Sequence, residues 1–353
     1  MKTVTEGKPP GKLKVPALNR AKVVLWLRKR AADLAPFATL AILVIFFSIT
    51  SDSFLDPNNL RNILAQVAIL SIVATGMTFV LLCGEIDLSV AAVATMSGVI
   101  ATNLFYAGTT SEIAAIAIGL VVALLFGIIT GWGTAKVGLP SFMMSLVAMQ
   151  VANGVSLFIS KGTINYHIPP VLTHLGSDRL YQYIGQVPAI GRLSIVVLVG
   201  AAVLLIGHVV LTYTRFGRYV YMTGSNRTGA ELSGINTRLV VGACLAISGL
   251  CAGLAGLINA GRLGSAQPDA NTTTILLDSI TAVVLGGTAL TGGRGGIKNT
   301  VIGLLVFGIL SNGLDQIQLD IYIRTLIAGL ILLAALLINN YALKLRTVAV
   351  ESE

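Results

Sequence analysis

The sequence predicts an all-α protein that crosses a membrane many times, and three observations lead to that prediction. Only 11% of the 353 residues are charged and 55% are hydrophobic, whereas a soluble domain carries about 25% charged residues. Apolar runs of about 20 residues, the length that crosses a bilayer core, recur along the whole chain. The alternating pattern of a membrane β-barrel is absent from the sequence. We therefore expect helices, because a backbone in lipid must satisfy its own hydrogen bonds.

The apolar runs give about ten predicted spans and divide the chain into three parts. Residues 1–33 form a basic cytoplasmic N-terminal arm, residues 34–342 form the transmembrane domain, and residues 343–353 form a cytoplasmic tail. Within the transmembrane domain, residues 161–192 are an outer loop and residues 215–238 are a basic cytoplasmic loop. The predicted spans, with ends placed to within a few residues, are 34–50, 62–83, 88–107, 112–133, 140–160, 193–213, 239–260, 272–291, 299–314 and 321–341.

The distribution of Lys and Arg predicts the orientation of these spans. When the ten spans are followed in order, eighteen of the 24 Lys and Arg fall on one side of the membrane and six on the other. Cytoplasmic loops are the ones enriched in Lys and Arg, so we expect both termini to be cytoplasmic. The net charge of +9 therefore reflects topology, and it indicates the lipid bilayer rather than nucleic acid as a partner.

The loop 215–238, RFGRYVYMTGSNRTGAELSGINTR, is predicted to contain a short helix that a cytoplasmic partner could contact. Ser225 or Asn226 can cap its N-terminus, since either side chain accepts a hydrogen bond from a free backbone N–H group. Gly234 can adopt the left-handed conformation that ends a helix. We expect one small apolar patch on this helix, made by Ala230, Leu232 and Ile235.

Three acidic residues lie at or near membrane depth, where charges are costly and are mostly functional or well paired. Glu85 and Asp87 belong to GEIDLSV, residues 84–90. Asp87 either caps the helix that follows, where its carboxylate meets free N–H groups, or contributes to a transport pathway. Asp278 falls inside a predicted span, and we expect its carboxylate to meet backbone N–H groups or a polar neighbour.

Signatures of an enzyme or of a nucleotide site are missing from the sequence. The glycines of LLDSITAVVLGGTALTGGRGG, residues 276–296, do not match a phosphate-binding loop. The pattern GxxxxGK[ST] requires a glycine immediately before the lysine, and the residue immediately before Lys298 is Ile297. They predict a tight cytoplasmic hairpin instead. No Ser/His/Asp set or carboxylate pair indicates catalysis, and the three cysteines have neither disulfide nor metal spacing.

Polar side chains inside the apolar spans have two interpretations, which the sequence leaves open. They form hydrogen bonds between helices, or they line a path for a polyhydroxylated solute, which needs donors and acceptors along its walls. These residues are Gln66, Asn103, Gln150, Asn153, Asn259 and Asn312. Together with the acids, they give as candidate residues of a translocation path Glu85, Asp87, Gln150, Asn153, Asn259, Asp278 and Asn312.

Residues 35–342 resemble the permease subunits of bacterial ATP-binding-cassette (ABC) importers for ribose, xylose and similar monosaccharides. The resemblance rests on GEIDLSV (84–90), GSNRTGAELSGIN (224–236) and LDSITAVVLGGTALTGGRGG (277–296). It implies a type II ABC importer-like bundle in the inner membrane of a bacterium, which imports a monosaccharide by alternating access. The implied partners are a second copy of the chain, two cytoplasmic ABC ATPase subunits and an extracytoplasmic sugar-binding protein.

The resemblance also implies that residues 224–236 are the coupling helix, which sits in a cleft of the ATPase. ATP and Mg would be bound by that ATPase, and no cofactor by this chain. The coupling residues on this interpretation are Ser225, Asn226, Arg227, Ala230, Glu231, Leu232, Gly234 and Ile235.

The chain departs from the family where Glu85 and Ala91 replace frequent glycines and where Leu276 replaces a frequent Glu. The segment SNGLDQIQL, 311–319, is similar to xylose-type permeases and favours a pentose.

Two other classes of protein remain to be compared with this prediction. An ion-coupled secondary transporter of a small polar solute needs an ion or proton site in the membrane, and the few acids offer little for one. Co-purification of an ATPase subunit would distinguish the two. A membrane-bound enzyme or structural anchor is disfavoured because the sequence has no catalytic cluster.

Overall fold

A computed structural model describes residues 36–180, 182, 193–268 and 272–317, together with single residues and pairs of residues between 320 and 337. Within these residues the protein is helical, and the β-structure amounts to two isolated bridges, Asn165–Ala266 and Arg179–Ser194. The all-α prediction is confirmed for this part of the chain. The predicted arm 1–33 and tail 343–353, with most of the last predicted span, lie outside the described residues.

Twelve helices are named here for the described part of the chain. They are α1 Pro36–Thr50, α2 Pro57–Leu82, α3 Val90–Tyr106, α4 Glu112–Trp132, α5 Ser141–Ser160, α6 Pro170–Ser177, α7 Ile195–Tyr213, α8 Arg215–Ser225, α9 Arg227–Leu232, α10 Thr237–Leu263, α11 Thr272–Leu285 and α12 Ile297–Gln316. A π-helical turn, Gly133–Val137, continues α4. Six of the helices, α2, α4 with its π turn, α5, α7, α10 and α12, are long and apolar enough to cross a membrane. Shorter apolar helices are α1, α3 and the Ile275–Leu285 part of α11.

Local side-chain and backbone chemistry explains two boundaries that the sequence prediction placed wrongly. Helix α2 begins at Pro57 rather than at residue 62 because Asp56 caps it, accepting a 2.7 Å hydrogen bond from the backbone N–H of Asn58, and proline suits the first helical position. Helix α11 ends at Leu285 rather than at residue 291, and Gly287 follows with a φ of 103°. A positive φ cannot continue a right-handed helix.

Small residues allow α10 to pack closely in the middle of the bundle, against α2, α3 and α4. Helix α4 buries a small residue at every fourth position: Ala115, Gly119, Ala123, Gly127 and Gly131. A Cβ atom at Gly127 would lie 2.6 Å from the carbonyl oxygen of Leu245 in α10. Close approach of backbones at small residues is how helices associate where lipid supplies no hydrophobic driving force.

The peripheral helices α4, α5 and α7 bury little of their length and carry apolar residues on their exposed faces. On α5 the buried residues are all Ser or Ala: Ser141, Ser145, Ala148, Ala152, Ser156 and Ser160. The bulky side chains of the helix lie on the other side, where lipid or another polypeptide can cover them. This distribution, apolar outside and small residues inside, is the one expected of a bundle in a bilayer.

Candidate coupling segment and membrane cleft

The predicted short helix between the spans exists as α9, with caps at both ends. The Asn226 side chain accepts a 2.9 Å hydrogen bond from the backbone N–H of Gly229, so Asn226 is the N-cap. Ser225 instead ends α8, and its hydroxyl donates to the Tyr221 carbonyl at 2.7 Å. Gly234 has a φ of 80°, and the N–H of Ile235 donates to the Ala230 carbonyl at 3.1 Å. We call residues 224–236 the coupling segment.

The single apolar patch expected on this helix is not formed. Ala230 is 2% exposed and points into the protein, whereas Leu232 is 85% exposed. Ala230 and Leu232 are two residues apart and therefore lie on opposite sides of the helix, since each residue turns an α-helix by about 100°. Ile235 packs against a cluster that includes Val240. The outer surface of the segment therefore presents Leu232 alone among the three.

The three sequence motifs, far apart in the chain, meet at one place. The N–H of Gly293 donates to the Leu82 carbonyl at 2.9 Å, and the Tyr221 hydroxyl donates to the Gly295 carbonyl at 2.9 Å. The guanidinium of Arg227 donates to Glu85 Oε1 at 3.0 Å. We call residues 82–87, 221–227 and 291–296 together the motif junction.

Glycine is required where the backbones of the motif junction touch. A Cβ atom at Gly224 would overlap the carbonyl oxygen of Leu82, and one at Gly293 would overlap the Ser225 hydroxyl. Gly293 also has a φ of 71°, a conformation that glycine adopts without strain. Burial raises the pKa of Tyr221 above its ordinary value of 10.0, so the phenol keeps the proton that it donates to Gly295.

Asp87 is 1% exposed and is fully engaged within the protein. Its Oδ1 accepts hydrogen bonds from the backbone N–H and the hydroxyl of Ser89, at 2.9 and 2.6 Å. Its Oδ2 accepts from the hydroxyl of Ser248 in α10 at 2.7 Å. The N-cap of α3 is Ser89, and no side chain bonds the free N–H groups of the first turn. Asp87 therefore does not cap α3 as expected; it holds the N-cap residue and ties it to α10.

A cleft of about 270 Å³, lined by both polar and apolar side chains, lies between α2, α10, α11 and α12. Two of the predicted path residues, Asn259 and Asp278, are among those that line it. The other polar groups at its wall are Gln66, Arg262, Ser311 and Asp315. The partner expected for Asp278 is missing, because its carboxylate has no hydrogen bond to any residue that the structure describes.

Sequence reasoning missed several polar groups of this cleft. It assigned Arg262 to an outer loop, whereas α10 extends to Leu263 and brings Arg262 to the cleft wall. The position of Arg262 could have been inferred from its spacing, because it lies three residues after Asn259 and residues three apart lie on the same face of a helix. Asp315 belongs to the last turn of α12, just beyond the predicted end of that span.

The other predicted path residues lie elsewhere. Asn312 is buried and accepts a 2.8 Å hydrogen bond from the side chain of Asn59, so it links α12 to α2. Gln150 is exposed on α5 and Asn153 is half-buried on the same helix. Leu276, at the position where relatives often carry Glu, packs in the core and does not line the cleft.

Comparison with known proteins gives the family. Residues 59–336 match the family described as branched-chain amino acid transport system / permease component. The chain belongs to this family. The match begins in α2 and covers all three regions of the motif junction as well as the cleft. The permease is accordingly a multi-pass protein of the cytoplasmic membrane.

Curated relatives of this permease are named as permeases for ribose or xylose. The ribose import permease protein RbsC of Bacillus subtilis (strain 168) is 38% identical over 308 residues, covering 87% of this chain and 92% of the relative. RbsC of Escherichia coli (strain K12) is 35% identical over 316 residues, covering 89% and 94%. The xylose transport system permease protein XylH of Escherichia coli (strain K12) is 31% identical and covers 86% and 90%. No solved structure has significant similarity to the chain.

Proposed function

We propose that this permease is the membrane subunit of an ABC importer that carries a monosaccharide, a pentose such as ribose or xylose. The observation that carries the proposal is the 35–38% identity to ribose import permeases over 87–89% of the chain. The family description names branched-chain amino acids, but the relatives compared above are named for ribose and xylose, and a further relative for D-allose.

The cleft supplies groups that suit a sugar. A monosaccharide presents several hydroxyl groups, each of which donates and accepts hydrogen bonds. Asp278 accepts, whereas the amides of Asn259 and Gln66 do both, and the cleft of about 270 Å³ holds these groups together. A carboxylate at membrane depth with no hydrogen bond from the described residues is energetically costly, and such residues mostly mark a substrate or ion path. We assign Asn259 and Asp278 to the translocation path.

The coupling segment is the surface through which we expect ATP hydrolysis to act. Leu232 is exposed, as are Arg227 and Glu231, beside the capped turn. On this proposal an ATPase subunit holds the segment, and its closure on ATP and Mg moves α9. The permease binds no cofactor and supplies no chemistry. A second copy of the chain and an extracytoplasmic sugar-binding protein complete the importer.

Purification from native membranes tests this function against the ion-coupled alternative. The permease should co-purify with an ATPase subunit and a sugar-binding protein, and ATP hydrolysis should rise when the sugar is added. Uptake should need ATP and should persist when ionophores collapse ion gradients. A permease that purifies without an ATPase, and whose uptake stops with the ionophore, would be a secondary transporter instead.

A further inference from the structure

One ion pair connects the coupling segment to the loop that follows α2. Arg227 is the first residue of α9, and its Nη1 lies 3.0 Å from Oε1 of Glu85. The Glu85 side chain is 13% exposed and the Arg227 side chain 45% exposed. Glu85 was a candidate for the translocation path, but the structure places it against the coupling segment and apart from the cleft.

The loop that carries Glu85 is fixed to three helices of the bundle. The backbone N–H of Ile86 donates to the Ser141 hydroxyl at the start of α5, at 3.1 Å. Asp87 bonds Ser89 beside α3 and Ser248 in α10. A displacement of this loop therefore reaches the starts of α3 and α5 and the middle of α10 together.

We infer that the Glu85–Arg227 pair is a positioning contact that transmits movement of the coupling segment to the loop and hence to the bundle. This inference rests on the proposed function. Both residues act through other groups, and neither contacts the sugar. A partly exposed ion pair contributes little to folding stability, so the role expected of this pair is geometric: it makes α9 and the loop move as one unit.

The contact can be tested in the complete importer, purified with its ATPase subunits and binding protein and reconstituted in proteoliposomes. Import of radiolabelled ribose or xylose and hydrolysis of ATP are measured in the same vesicles, and their ratio is the readout. For Glu85→Gln we expect this ratio to fall about threefold, within the range that a single ion pair supports. The amount of ATPase bound to the permease should not change.

A double-mutant cycle separates this contact from a general effect of either residue. In an Arg227→Gln background, adding Glu85→Gln should produce no further fall, because the partner of Glu85 is already gone. The matched control is Glu112→Gln, which makes the same substitution at an acid that accepts a hydrogen bond from Val171; it should leave the ratio unchanged.

Two results would overturn the inference. One is a wild-type ratio in Glu85→Gln, and the other is the same fold reduction by Glu85→Gln in both backgrounds, which would mean that the residues act independently. Failure of the proposed function is distinguishable, because the wild-type complex would then import no sugar and would show no sugar-stimulated hydrolysis.

Discussion

At the scale of single residues, Asp278 combines a costly position in an apolar helix with a carboxylate that has no hydrogen bond to the described part of the chain. It lies in an apolar helix and lines a cleft that also holds Asn259 and Arg262. By contrast, Asp87 is satisfied by Ser89 and Ser248 inside the protein. The two carboxylates therefore have different surroundings: Asp87 joins the start of α3 to α10, whereas Asp278 faces a cleft, and its contact with a solute is a prediction.

Removal of the charge at Asp278 should impair transport without impairing folding. A hydrogen bond to a charged group contributes about 1.5–3 kcal/mol, so Asp278→Asn should lower the import rate at limiting sugar by about tenfold or more. Radiolabelled uptake as a function of sugar concentration measures this. Leu276→Met, a volume-conserving change beside it in the core, should transport normally; equal losses in both variants would assign Asp278 a structural role.

Substitution on the exposed side of the coupling segment should uncouple the importer. Leu232→Arg lies on the surface, where substitutions change stability by about 0.5 kcal/mol or less, yet it places a charge on the surface assigned to the ATPase. Sugar-stimulated ATP hydrolysis should be lost while the protein remains monodisperse. The control is Leu55→Arg, at an exposed leucine between α1 and α2 and outside the coupling segment, and this variant should retain stimulation of ATP hydrolysis.

Two further changes in the segment should also uncouple transport. Glu231→Arg removes the acceptor for the Thr237 hydroxyl, 2.6 Å away, and reverses an exposed charge. Gly234→Val forces a branched residue into a φ of 80°, at a cost of about 1–2 kcal/mol. Unchanged stimulation of ATP hydrolysis by the loaded binding protein in both variants would remove the segment from the mechanism.

At the scale of helices, close packing of α4 on α10 depends on the absence of side chains. Gly127→Ala would place a methyl group 2.6 Å from the Leu245 carbonyl, and overpacking costs about 1–3 kcal/mol. Gly154→Ala, in α5, meets no atom within 4 Å and gains helix propensity of up to about 1 kcal/mol. Thermal unfolding in detergent should show a lower midpoint for Gly127→Ala only; equal midpoints would contradict this packing.

Most helices could be predicted from the sequence because membrane spans are long and uniformly apolar. Predicted spans 112–133, 140–160 and 193–213 coincide with α4, α5 and α7 to within two residues at each end. The larger errors occur where a local feature overrides the apolar run: the Asp56 cap before α2 and the glycines after α11. Hydrophobicity locates a span, but caps and backbone conformation decide where its helix ends.

At the scale of the whole molecule, the motif junction could not be predicted, because it depends on contacts between residues far apart in sequence. Each motif was recognisable separately, and local chemistry limited the cap of the short helix to Ser225 or Asn226. Nothing in the sequence indicates that Arg227 reaches Glu85 or that Gly293 reaches Leu82. Asn259 and Asp278 were chosen for polarity or charge in apolar helices, and α10 and α11 bring them to one cleft; their part in translocation stays a prediction.

The orientation of the bundle can be tested by cysteine labelling. The native cysteines Cys83, Cys244 and Cys251 are all buried, so an added exposed cysteine should dominate the signal. Leu232→Cys should react with a membrane-impermeant maleimide only in inverted vesicles. Tyr166→Cys, 68% exposed in the predicted outer loop, should react only from the opposite side. Exchange of these two patterns would place the coupling segment outside and exclude contact with a cytoplasmic ATPase.

The most direct measurement of the central claim is sugar uptake by the reconstituted complex. Proteoliposomes that contain the permease and its ATPase, with ATP on the coupling-segment side and the loaded binding protein on the other, should accumulate labelled ribose or xylose against a gradient. Accumulation should stop without ATP and in the Leu232→Arg variant. Equal accumulation by the permease alone, driven by an imposed ion gradient without ATPase or ATP, would contradict the account.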